Sequence, residues 1–123
     1  MAACSLVGPA DKVHVGRWVG TRTFGATDGV ATIDGDAALD VARRKLIELE
    51  RGPDHPFAPG LAQTEPVAAG FVPSLVKLES PTGMAMSFSR GQDSWVFEFG
   101  RPGRGVVVIV DADSGTVSDA AGT

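Results

Sequence analysis

Apolar positions recur along this chain with two different periods, and each period predicts its own kind of element. In residues 36–51, DAALDVARRKLIELER, the residues Leu39, Ala42, Leu46 and Leu49 follow one another at i, i+3, i+7 and i+10. That spacing gathers them on one side of a helix, with Asp40, Arg43, Arg44, Glu48 and Arg51 largely on the other. Asp36 is placed to cap the first turn, and Gly52-Pro53 to stop the last. Asp40 and Arg44 form an i,i+4 pair of the favourable order. The pattern predicts one amphipathic helix resting on an apolar surface.

Elsewhere the period is two. Short strands are predicted at 67–72, 74–79, 84–89, 94–99, 105–111 and 116–118. Trp95, Phe97 and Phe99 share a face, and residues 90–93, RGQD, have the length to join the strands on either side as a hairpin. Residues 106–110, VVVIV, are apolar on both faces and suit the interior of a sheet rather than its edge. Upstream, residues 12–19 alternate as one strand with Val13, Val15 and Val19 on a common face. Gly25, Asp28 and Gly29 then mark a turn, and 30–33 is placed to return as a second strand. Residues 52–66 hold four prolines and two glycines and are expected to lack regular structure. The fold class is therefore α+β, one amphipathic helix packed on an antiparallel sheet. A strand or hairpin extension occupies 1–35, and the helix-plus-sheet domain, with its Pro-rich loop at 52–66, occupies 36–123.

Composition narrows the function classes. With 123 residues, 43% of them hydrophobic and 21% charged, the chain can bury one modest core. Its net charge of −4 argues against a nucleic-acid partner, which requires a basic face. The single cysteine, Cys4, leaves neither an internal disulfide nor a cysteine zinc site. Residues 1–12 have no basic segment and too short an apolar run for a signal peptide, and nothing approaches a membrane span. Ala2-Ala3-Cys4 matches the end of a lipoprotein signal but not the helix that must precede it. The expectation is a cytoplasmic protein.

No set of residues demands catalysis. Asp111-Ala112-Asp113-Ser114-Gly115 looks like the opening of a calcium loop, yet its glycine comes one position early and no closing Glu follows. A β-turn in which aspartates accept backbone amides is the simpler reading. His14 and His55 have no partner carboxylate or further ligands at a recognisable spacing, so neither a metal nor a cofactor is expected. No G-x-S-x-G elbow occurs, and the glycines of 100–105 join two strands instead of opening a helix, which rules out a P-loop. Four residues stand out as candidate partner contacts. Phe57 is an aromatic set among prolines; Arg101 and Arg104 offer charge in a turn, against the alternative of simple solubility. Trp95 is either core beneath the helix or a contact anchor.

Two stretches carry a family resemblance. Ala38-Leu39-Asp40-Val41-Ala42 and Val110-Asp111-Ala112-Asp113-Ser114-Gly115-Thr116-Val117 resemble the A-x-x-x-A helix and the closing V-D-a-x-T/S-G-x-V of the PepSY domain. Ser94-Trp95-Val96-Phe97 and the terminal Gly122-Thr123 are similar to the YrhB-like group, family thirty-five of the toxin-immunity proteins. The resemblance covers roughly 36–123; the Pro-rich loop is an insertion relative to both families, and 1–33 match neither. PepSY modules are usually exported. Both resemblances imply a non-catalytic domain that binds another protein, a peptidase in one case and a toxin in the other.

Overall fold

A computed structural model describes residues 11–23, 33–52, 60–101 and 105–122. Among these residues six strands, β1 (Asp11–Val15), β2 (Trp18–Arg22), β3 (Ala68–Glu79), β4 (Ala85–Phe99), β5 (Val106–Asp111) and β6 (Val117–Gly122), form one sheet. Each strand pairs antiparallel with its neighbour in sequence, in the order β1-β2-β3-β4-β5-β6. The helix α1 (Gly35–Glu50) lies between β2 and β3 in the chain and packs on the sheet at β4, β5 and β6. The α+β class expected from the two periods is what the chain adopts.

Helix α1 begins one residue before the expected start because Asp34, not Asp36, is its cap. The Asp34 carboxylate accepts the Ala37 amide at 2.8 Å, while Asp36 sits in the first turn, where a negative charge favours the helix dipole. Ala38, Ala42 and Leu46 are wholly buried, and Leu39 and Leu49 flank them half-buried. The two small alanines let the helix approach Phe97, Phe99, Val106, Val108 and Val110 closely. Asp40, Arg44 and Glu48 are exposed as the pattern requires. Arg43 departs from it: its guanidinium donates to the Ala62 carbonyl at 2.9 Å and to Glu65 at 3.3 Å. The end of the Pro-rich segment explains why. Leu61–Gln63 forms a single 3-10 turn that buries Leu61 and Ala62 against α1, contrary to the expectation of no regular structure there. Residues 53–59 lie outside the described residues.

Two strand expectations are corrected, and a third lies mostly outside the described residues. The alternating stretch 12–19 is a tight hairpin, not one strand. Gly16, at φ 59, takes the first position of a two-residue turn, and Val15 then pairs with Trp18 and His14 with Val19. Val19 therefore faces away from Val15. The expected return strand at 30–33 lies outside the described residues except for Ile33, whose amide donates to the Ala112 carbonyl at 3.2 Å. Finally, residues 90–93 are not a hairpin loop. The strands expected at 67–72 and 74–79 are one strand, β3, and those at 84–89 and 94–99 are one strand, β4.

The turn residues that suggested a break instead make a bend shared by both long strands. Ser74 has φ 50, the β3–β4 register shifts between Val72 and Leu75 and again before Lys77, and Asp93 accepts the Ser74 amide at 2.9 Å. The true β3–β4 turn lies at 80–84, where Gly83 has φ 91 and Ser80 donates to the Met84 carbonyl at 2.8 Å.

This bend folds the single sheet over itself. One half carries Val72, Val96, Val107 and Ile109; the other brings Val15, Trp18, Leu75, Leu78 and Met86 against them as a second core. Strand β5 is thus apolar on both faces because both are covered, by α1 on one side and the folded-over strands on the other. Among the described residues, no helix is long and apolar enough to cross a membrane.

Leu46→Ala empties the centre of the helix-side core and is expected to cost about 2–5 kcal/mol, whereas Arg44→Ala, on the solvent side, should cost about 0.5 kcal/mol or less. Urea denaturation of both variants checks this; equal losses would mean that the helix face is misassigned.

Candidate functional site

Of the four residues singled out from sequence, two are described. Trp95 is half-buried and held on all sides. Its indole N–H donates to the Ile33 carbonyl at 3.0 Å, its ring stacks on Phe97 with centroids 6.5 Å apart, and Phe71 tilts against it at 5.2 Å. It clamps the segment that leads into α1 to the sheet. Arg101 is exposed beyond the end of β4, past Gly100 at φ 83. Phe57 and Arg104 lie outside the described residues, as does His55; His14 is exposed on β1.

The acidic segment after β5 is a turn. Asp111 accepts the amides of Asp113 at 2.8 Å and Ser114 at 3.0 Å, and its own amide donates to the Thr116 carbonyl at 2.8 Å. Gly115, at φ 72, closes the turn and lets β6 start. One carboxylate thus satisfies the backbone that reverses the chain.

Beside this turn the structure opens a groove of about 370 Å³. One wall is the stripe Val41, Arg44, Lys45 and Glu48 of α1, spaced i, i+3, i+4 and i+7; the other is Gly115, Thr116 and Val117 at the start of β6. Val41 and Val117 supply its apolar contact. Arg44 pairs with Asp40, and Lys45 pairs with Glu48 at 3.4 Å. Both are surface pairs of small energetic value and are readily exchanged for other partners. Among the described residues β6 is the last strand in the sheet order, and the groove lies where that strand begins. Sequence reading missed it, since the helix stripe looked like a solvated face and the turn like an isolated reversal. Only the packing of α1 over β6 brings them together.

A second unusual group lies on the opposite face. Glu98 has the same strand parity as Val96 and points into the second core, only 6% exposed. Its carboxyl is pushed above the usual carboxylate range, first by burial; hydrogen bonds from the Arg17 amide and the Trp18 indole, together with the Arg17 charge, act against that rise. Glu79, by contrast, is exposed and held below the usual range by its hydrogen bond to Lys77. In WVFEFG the parity of Glu98 sets it opposite the aromatic face, and the layer that covers that side was not visible. Among the described residues, no cluster of three or more His, Cys, Asp or Glu could hold a metal ion.

Asp111→Ala removes the oxygen that accepts two amides and should destabilise the protein by about 1–2 kcal/mol. Millimolar calcium should leave the wild-type Tm unchanged. A calcium-induced rise of several degrees would show that the turn binds an ion.

No family model, curated protein or solved structure matches this chain, so its functional reading rests on its own geometry.

Proposed function

We propose that this chain is a small protein-binding module of the inhibitory kind, and that it takes an extended segment of its partner along β6 and into the groove beneath α1. The carrying observation is the groove between α1 and the start of β6, the last strand of the sheet among the described residues. An edge strand offers alternate backbone groups to an added strand, while a neighbouring helix supplies contacts for the side chains of that strand. The middle of β6 is partly guarded: Asp119 accepts the amide of Ala120 at 2.8 Å, so that donor is occupied. The beginning of the strand, at Val117, lies at the groove itself.

The groove combines an apolar pair, Val41 and Val117, with exchangeable charges at its rim, the composition expected of a contact site. The net charge of −4 would steer a basic partner toward the protein. The short resemblances at 38–42, 94–97 and 110–117 favour the same class. Toxin neutralisation is its leading form and modulation of a peptidase the alternative. Exposed Arg101, together with Phe57 and Arg104 outside the described residues, is proposed as a supporting contact, with Trp95 stiffening the sheet beneath.

Peptides selected from a random display library should shift the backbone NMR resonances of 115–122 and 41–48 and add intermolecular strand contacts at β6. Thr116→Arg, at an exposed position, should weaken those peptides roughly tenfold, about 1.4 kcal/mol, with the Tm unchanged. Selected peptides that perturb another face, or a substrate turned over by the purified protein, would overturn the reading.

A further inference from the structure

The second core contains a carboxylate where its strand parity calls for an apolar side chain. Glu98 meets the turn of the β1–β2 hairpin from below. The Arg17 amide and the Trp18 indole donate to it, and a Cβ at Gly16 would collide with its Oε1. Gly16 is thus needed twice, for its positive φ and for the room it leaves the carboxylate. Val15 and Trp18, 3% and 1% exposed, are the side chains that this contact keeps seated. Among the described residues, the hairpin's backbone ladder to the rest of the sheet is the β2–β3 pairing of Val19, Gly20, Thr21 and Arg22. Its turn lies beyond that ladder and is fastened through Glu98.

We propose that Glu98 is a latch holding the β1–β2 hairpin over the second core, and that its ionisation sets how readily the hairpin lifts. When neutral, the carboxyl is a buried acid with two donors at hand. When ionised, it carries a charge that water solvates better than this site does, so lifting the hairpin hydrates it. The charged group facing it is Arg17, on the turn. Its register neighbours, Ala68 on β3 and Val107 on β5, and Ala121 of β6 at the second core, carry no charge, and α1 lies on the other face of the sheet.

The sign follows from the direction of the shift. A carboxyl raised in the closed state favours closure below its ordinary titration range and loses that contribution as pH rises through its raised value. The hairpin should therefore open more often as the solution moves from acid to neutral. Glu79 is held below the usual range chiefly by Lys77 of its own strand, and only the weakest contribution, the charge of Lys12 on β1, links it to the hairpin, in the opposite sense and in a lower window. The latch is a property of the second core and does not depend on the groove.

Amide hydrogen exchange by NMR, corrected for intrinsic rates, tests this between about pH 4 and about pH 8. Protection of residues 13–20 should fall with rising pH while that of α1 and β5 does not, with a midpoint matching the titration of the Glu98 side-chain carbonyl carbon. In Glu98→Gln, which keeps an acceptor for both donors, hairpin protection should lose its pH dependence. The wild-type profile decides even if that variant does not fold. Protection of 13–20 that is flat with pH, or lost together with α1 and β5, overturns the latch, as does a midpoint that follows another carboxyl.

Discussion

The bend shared by β3 and β4 is the constraint on which the rest of this structure depends. Strands of 12 and 15 residues would, if straight, make a long ribbon with one uncovered face. Ser74 at positive φ, the register shifts around it and the Asp93 carboxylate that takes its amide turn that ribbon onto itself. The same bend brings Leu75, Leu78 and Met86 over Val96 and Ile109, and places the β1–β2 hairpin above Glu98. Asp93 serves the next layer too, because its carbonyl accepts the Ala112 amide at 2.9 Å beside the turn into β6. Two layers and the groove's far wall are thereby tied to one short polar stretch.

What could be read in advance follows from what hydrophobic periodicity reports. It reports which face of an element is apolar, so α1, the burial of Leu46 and the double-sided burial of β5 were legible. It does not report whether a polar interruption ends a strand or bends it. Residues 90–93 have the composition of a hairpin loop, and only their pairing with the Ser74 bulge makes them strand. The 12–19 stretch failed for a related reason: Gly16 keeps the alternation intact while reversing the chain, so the pattern hides the turn. Glu98 alternates with Phe97 and Phe99 and so reads as the outward face of its strand; its burial depends on a layer contributed from some eighty residues away. The groove was illegible altogether, because each of its walls is unremarkable alone.

The two faces of the sheet divide the work. The helix side is closed by alanines and aromatics, with Trp95 holding the lead-in to α1, and this rigidity is what allows a shallow groove to keep its shape at the margin of α1. The opposite side contains the only carboxylate among the described residues that is nearly excluded from water. Recognition is proposed for the first face, adjustment for the second.

The order of the strands has a consequence for how the chain reaches this state. Among the described residues every pair in the sheet joins strands adjacent in sequence, and four of the five pairs are linked by short reversals that cost little chain entropy to close. The exception is β2 with β3, separated by α1 and the Pro-rich segment, which makes it the costliest closure in the meander. The β3–β6 ribbon and its helix can thus organise through local contacts, which favour rapid folding, leaving the amino-terminal hairpin as the element whose docking closes the longest loop.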